Sequence, residues 1–400
     1  MIKIIGQLKE VILYVGGDIY LVDNYVREKL IKPTNVPKEL DIIYSRSIKN
    51  IYNAFNKKFN YTIQLYNEEK VLIIKDKDFV MKISQLAYDN IEKYLENADY
   101  TMNAVALKLI DNKIIDPFQG RLHIEKRIIQ EVNDKSIENN PLSILKGIGY
   151  YINYGMHFSI NTELHIKEQS IKLQYEDGGD VLKELMHIIS IDKNGVAFHI
   201  LDQYSILQNL LPYIKELKTI GKCKYHVEDT FTHMNDAYEI LKEIQYGRVN
   251  LDGLNRDIFK KRMDGYKLID ILAFAVFVHD IGKFETYKKK AGKVSFIGHD
   301  IVGEKIMREV CKKLNIPKKM EDLICTVIKA HMYPLKLFKI KSNQDEFNKE
   351  LDKFFIDYKE YSEYIFIASY CDILSTTMYY DSENQGEEYK LFIERFLKMQ

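Results

Sequence analysis

The stretch ILAFAVFVHDIGK, residues 271–283, decides how this chain is read: an apolar run at 271–278 passes straight into a histidine, an aspartate and a Gly-Lys pair. The run is far too short for the ~20 residues that span a bilayer. It therefore predicts a buried helix, over 269–279, with His279 and Asp280 at its end. Working outward, other polar groups sit on apolar faces at helical spacing. His233 lies four residues before Ala237, on a stripe continued by Ile240, Leu241 and Ile244. His299 heads a stripe of Val302, Ile306 and Val310, His331 closes one of Leu323, Ile324, Val327 and Ile328, and Asp372 shares a face with Ile365 and Ala368. Burying so many polar groups without partners costs several kcal/mol each. A shared divalent cation satisfies them together, because neutral imidazole and carboxylate are ligands for Mn, Fe, Zn, Ni or Mg.

Composition sets the limits. Four hundred residues exceed what one core usually holds, so two or three domains are expected. Lys plus Arg and Asp plus Glu are both 58, and the halves are balanced too, which excludes attachment to nucleic acid by bulk charge and leaves room only for a small patch. Cys223, Cys311, Cys325 and Cys371 show no CxxC spacing, arguing against a zinc ribbon or disulfide scaffold. Lys9 and Glu10 interrupt the first apolar region, so neither a signal peptide nor a membrane span is expected and a cytoplasmic location is.

The expected fold class is α+β, mainly α. Residues 1–120 read as a small α/β head, with β-rich runs at 11–15, 41–44, 61–66 and 70–75 and a helix over 47–58. Residues 121–217 read as a helical neck or body, and 218–400 as an all-α domain after the polar segment 218–230. Polar insertions at 247–267 and 339–353 read as surface loops or short solvated helices.

The order THM, VHDIGK, GHDIVG, KAHM and SYCDIL around His233, His279-Asp280, His299, His331 and Asp372 resembles the helical motifs of the HD superfamily of metal-dependent phosphohydrolases. The resemblance implies that His233, His279, Asp280 and Asp372 hold a divalent ion, with His299 and His331 on a second ion or the phosphate. It also implies catalytic roles for Asp280 and for Lys283, the latter near the substrate phosphate. His226, Glu228 and Asp229 either support the first ligand from behind or cap its helix.

The N-terminal part resembles the class II tRNA nucleotidyltransferases (CCA-adding enzymes) and bacterial poly(A) polymerases. LYVGGDIYLVDNYV at 13–26 is similar to that family's strand, Gly-Gly, helix opening. KELDIIYS at 38–45 is similar to the strand carrying two carboxylates, and alternation sets Glu39 and Asp41 on one side of it. NADYTMNAVALKL at 97–109 supplies Asp99. The resemblance implies nucleotide contacts at Gly16, Gly17, Glu39, Asp41 and Asp99, with Mg as the head's ion. Departures are numerous. On this alignment the GGxVRD run has Tyr20 and Leu21 for its Arg and Asp, the RRD run reads Asn97-Ala98-Asp99, and the EDPxRxxR run has Asn140, Ser143 and Lys146. Bidentate arginine contacts to triphosphate cannot be replaced by Tyr, Asn or Ala.

The leading expectation is a metal-dependent phosphohydrolase acting on a nucleotide or RNA phosphoester, fused to a head that has lost templating activity. The alternatives are an active nucleotidyltransferase adding to RNA 3′ ends, and a non-catalytic RNA- or nucleotide-binding protein. The expected partner is a nucleotide or RNA 3′ end, tRNA included, bound weakly and salt-sensitively, and not DNA.

Overall fold

A computed structural model describes the chain except Met1, 35–36, Asn60, Glu69, Asp78, Asp89, 222–227, Gly292, 377–384 and Gln400. Cys223 and His226 therefore lie outside the described residues. The chain forms two compact units, Met1–Gln169 and Ser170–Gln400. The fold is mainly helical α+β, with a mixed sheet at the N-terminal end.

The first unit opens with α1 (Ile2–Val15), β1 (Ile19–Val22), α2 (Asp23–Ile31), β2 (Glu39–Tyr44) and α3 (Ile48–Lys58). Strands β3 (Thr62–Tyr66), β4 (Val71–Lys75), β5 (Val80–Gln85), β6 (Ala106–Lys108) and β7 (Ile114–Ile115) complete a sheet of order β3-β4-β5-β2-β1-β6-β7. Only β2–β5 is a parallel pair among these neighbours. Ile4, Leu8, Val11 and Ile12 of α1 and Ile48, Ile51 and Phe55 of α3 share one core with Ile19 and Leu21 of β1 and Leu40, Ile42 and Tyr44 of β2. The opposite face packs Tyr20, Val22 and Ile43 against Ile91, Leu95, Ala104 and Ala106. Glu39 and Asp41 stand on that second face, in step with Ile43.

The expected strand at 11–15 is instead the end of α1. Its β-branched residues continue a helical stripe that begins at Ile4, and that longer period wins over local propensity. The true first strand, IYLV at 19–22, is buried on both faces and so shows no polar alternation.

Among its described residues, the regular structure of the second unit is helical apart from two short hairpins, Arg262–Met263 with Tyr266–Lys267 and Lys288–Lys290 with Lys293–Ser295. Five helices bear on the site: Thr230–Gln245, Leu268–Phe277, His299–Lys313, Lys318–Ala330 and Ser362–Leu374. The most apolar helix ends two residues before His279, so the His-Asp pair sits in the turn after it. The insertion at 339–353 is largely helical, within Tyr333–Ile340 and Gln344–Tyr358. Among the described residues, no helix is long and apolar enough to cross a membrane.

Candidate metal centre

Each of the four motif histidines uses one ring nitrogen to fix its orientation. Nδ1 of His279, His299 and His331 donates to the carbonyl three residues earlier, on Val276, Phe296 and Ile328, at 2.7, 2.9 and 2.7 Å. His233 Nδ1 lies 3.2 Å from the Ser375 carbonyl, reaching across to the helix that carries Asp372. This assignment leaves all four Nε2 atoms as inward-facing lone pairs, the form in which imidazole binds a cation.

Those nitrogens converge on Asp280. His233 and His279 Nε2 are each 3.3 Å from Asp280 Oδ2, and 3.0 and 3.5 Å from Asp372 Oδ1. His299 Nε2 is 3.2 Å from the other oxygen, Oδ1, and His331 Nε2 is 4.0 Å from it. Two ligand sets result, His233-His279-Asp280-Asp372 and Asp280-His299-His331, with Asp280 common to both. The close approach depends on Gly282, where a Cβ would meet the His299 carbonyl oxygen at 2.1 Å and Gly303 N at 2.5 Å. Only a glycine lets this turn press against the start of the His299 helix.

The electrostatics are those of a cation site. Burial alone would lower His279, but the Asp280 and Asp372 carboxylates push it up to about 10. Burial likewise opposes the charged form of His233, and the same two carboxylates raise it. Against their own burial, Asp280 is held well below the usual carboxylate range by Lys283 and the histidines, and Asp372 by His233 and His279. His331 moves the other way, to about 4, through burial and the neighbouring His279 and His299. The donor set fits a divalent ion: Asp280 Oδ2 is buried and lies against imidazoles and the Lys283 ammonium, yet receives no well-directed hydrogen bond. Its lone pairs lack a directed partner, and a divalent ion among the four imidazoles and two carboxylates would supply one. Asp229 caps the first helix, accepting from Thr232 N at 2.9 Å, while Glu228 is half-buried beside it.

The head's expected residues divide into two places. Gly16 and Gly17, at φ +73° and +93°, form the turn between α1 and β1, where a Cβ on Gly17 would strike Tyr44 and Arg46. Asp41 pairs across the sheet with Val22, at the other end of β1. The glycines are thus not beside Glu39 and Asp41, and they precede the first strand rather than follow it. Asp99 accepts from Tyr100 N and Asn103 Nδ2, both at 2.7 Å.

Two residues missed in the sequence join this second place. Asp23 begins α2 directly after β1, in left-handed conformation at φ +51°, and its carboxyl is raised to about 6 by surrounding protein, despite Arg27 and with Asp99 and Asp41 adding to the rise. Arg27, nearly buried, donates to Asn103 Oδ1 at 2.5 Å, Asn24 Oδ1 at 3.0 Å and Asp23 Oδ1 at 3.2 Å, and stacks over the Tyr150 ring. The strand-turn-helix junction is therefore at 22–23. Aligned there, Asp23-Asn24 stand in the place of the glycine pair, and Val26-Arg27-Glu28 in the place of Val-Arg-Asp. The signal was IYLV followed by a helical VREKL; the Gly-Gly pair drew the alignment away.

Within the second unit, residues 230–377 match the HD domain family. The A-adding tRNA nucleotidyltransferase of Deinococcus radiodurans is 23% identical over 253 residues, covering 62% of this chain and 54% of that protein. The multifunctional CCA protein of Acinetobacter baylyi is 28% identical over 250 residues, covering 61% and 54%. This chain thus matches about half the length of those curated relatives. The solved Thermotoga maritima CCA-adding enzyme complexed with tRNA-CCA shares the fold over 98% of this chain and 81% of its own, at TM-score 0.66 and 15% identity. The chain is a distant homologue of the CCA-adding and tRNA nucleotidyltransferase family, with an HD domain whose His/Asp cluster is intact.

Proposed function

We propose that this protein is a metal-dependent phosphohydrolase acting on a nucleotide or RNA phosphoester, such as a phosphomonoester or a 2′,3′-cyclic phosphate. The observation that carries it is the pair of ligand sets joined through Asp280. His233, His279, Asp280 and Asp372 would hold one divalent ion, and His299 and His331 a second ion or the phosphate itself. A divalent ion here supplies Lewis-acid polarisation of a phosphoryl oxygen and acidifies water. Lys283, buried and ion-paired with Asp280, is placed to bind a phosphate oxygen and to balance the charge that builds there. Asp280 would orient both halves of the site at once.

In this reading the head, Gly16, Gly17, Glu39, Asp41 and Asp99 included, has lost templated nucleotide addition. Arg27 is engaged by Asn103, Asn24 and Asp23, and Asp23 adds a carboxylate where a triphosphate would need neutralising charge. A second reading, a head that still adds nucleotides with Mg held by Glu39 and Asp41, is favoured by the clustering of Asp41, Asp99 and Arg27 around Asp23 and by the names of the curated relatives.

The test is metal analysis of protein purified without chelator, joined to a p-nitrophenyl phosphate assay. Bound divalent metal and turnover that both vanish in Asp280→Ala, with helical content retained, support the assignment. Full metal content and unchanged hydrolysis in that variant overturn it.

A further inference from the structure

The hairpin Lys288–Lys290/Lys293–Ser295 is inserted in the segment joining two residues of the metal centre, Lys283 and His299. Its register sets Lys288 opposite Ser295, Lys289 opposite Val294, and Lys290 opposite Lys293. Strand alternation puts Lys288, Lys290 and Lys293 on one face. Like charges directly opposite each other destabilise a hairpin, and a two-stranded ribbon is marginal to begin with. The hairpin is not built for its own stability.

All four hairpin lysines are exposed. From Lys283 to Ser295 the chain carries five lysines and one carboxylate, Glu285, which accepts a hydrogen bond from Tyr213. Aromatic rings connect this face to the metal centre. Lys283 Nζ stands 5.3 Å over the Phe296 ring, Phe296 packs 5.8 Å from Tyr287, and Tyr287 immediately precedes the hairpin and is partly open to solvent. Phe284 is similarly open, one residue after Lys283.

We infer that this hairpin is a docking surface for single-stranded nucleic acid whose terminal phosphate enters the HD centre. The inference rests on the proposed phosphohydrolase reading and adds the size of its substrate. Lysines two apart on a strand are about 7 Å apart, comparable to the step between successive phosphates of an extended strand. Aromatic faces between a cationic surface and a phosphate site suit stacked bases. A mononucleotide held by its phosphate at the metal centre would leave the lysine face unused. The patch is small enough to coexist with the chain's zero net charge.

The test compares the full-length protein with its Lys288→Gln/Lys290→Gln/Lys293→Gln variant, each confirmed folded by circular dichroism and melting. Binding of a fluorescein-labelled, 3′-phosphorylated oligouridylate is followed by anisotropy across salt concentrations. The variant should bind about tenfold or more weakly at low salt, and its salt slope should fall by about 2, at roughly 0.7 for each phosphate the lysines no longer neutralise. Its kcat/KM for the oligonucleotide should fall relative to that for p-nitrophenyl phosphate. Equal affinity and slope in the two proteins overturn the inference, as does equal binding of polyglutamate by the wild type, which would mark a general anion surface. A wild type that binds the oligonucleotide through the lysines but hydrolyses no phosphoester, metal supplied, leaves the surface standing and removes the phosphohydrolase reading.

Discussion

His299 Nε2 lies 3.3 Å from His331 Nε2, and both rings have their Nδ1 atoms committed to backbone carbonyls. Two lone pairs at that separation repel unless a proton or a metal cation lies between them. The same holds for His233 and His279, whose Nε2 atoms are 3.2 Å apart. The carboxylates of Asp280 and Asp372 make positive charge the favourable solution at the second pair. Metal binding is therefore expected to be folding energy for the second unit. Chelator-treated protein should melt lower than protein given Mn or another divalent ion, by about 2.7 kcal/mol when the ion is a hundredfold above its Kd. Differential scanning calorimetry checks this; a melting temperature indifferent to chelator and metal would contradict it.

Behind the metal centre, the buried Asp192 organises a turn. Its carboxylate accepts from the backbone N–H groups of Asn194, Gly195 and Ala197 at 3.0, 3.0 and 2.8 Å, and from the Tyr238 hydroxyl at 2.9 Å. Tyr238 is on the same helix as His233. Asp192→Ala strands these donors and should cost about 3 kcal/mol or more. At 2–4 °C per kcal/mol, the second unit's melting temperature should fall by roughly 6–12 °C. Tyr238→Phe removes one bond and should cost about 1 kcal/mol. A melting curve of Asp192→Ala that overlays the wild type would refute the role given to this turn.

The second unit was the more legible in the sequence because its signals are local and periodic. His233, Asp372 and the stripe before His331 each declared a helix face, and five faces requiring one buried partner implied a common centre. What periodicity could not give was the division of labour. That Asp280 turns one oxygen to each ligand set depends on Gly282 meeting Gly303, a contact between distant segments. In the head, β6 and β7 are two or three residues long and owe their existence to pairing with β1 and each other. β1 shows no polar alternation because both of its faces are covered, and an alignment on the Gly-Gly pair therefore sets the strand-turn-helix junction too early in the sequence.

Asp23 gives the head a pH dependence of defined sign. Its folded-state pKa of about 6 lies above the ordinary value of 3.8. The folded chain thus holds this proton more tightly than the unfolded chain between about pH 4 and 6. The contribution is most favourable below that window and declines as pH rises through it. Water reaches about half of the side chain, 53% exposed, which moderates the effect. Asp23→Asn should therefore raise the melting temperature of the first unit at pH 7 and leave it nearly unchanged at pH 4. A variant less stable than wild type at pH 7 would show that the Arg27 pairing outweighs the cost of burial and the repulsion from Asp99 and Asp41.

The proposed loss of templated addition by the head can be tested directly. Incubation with tRNA lacking its 3′ end, together with ATP, CTP and Mg, should yield little or no extension on a sequencing gel. Among the groups around Asp41, the two terminal nitrogens of Arg27 are engaged by Asn103, Asn24 and Asp23, and Asn97 and Ala98 offer no bidentate cation for a triphosphate. The carboxylates of Asp23, Asp41 and Asp99 add repulsion to that deficit. Asp23→Gly would remove one negative charge and suit the backbone's left-handed φ at this position. If the head is a disabled polymerase, this variant should bind ATP more tightly than the wild type in an equilibrium titration, by a few-fold, without restoring extension. Robust CCA or poly(A) synthesis by the wild type, lost in Asp41→Ala, would instead establish the head as an active nucleotidyltransferase and make Arg27 a residue to test at its centre.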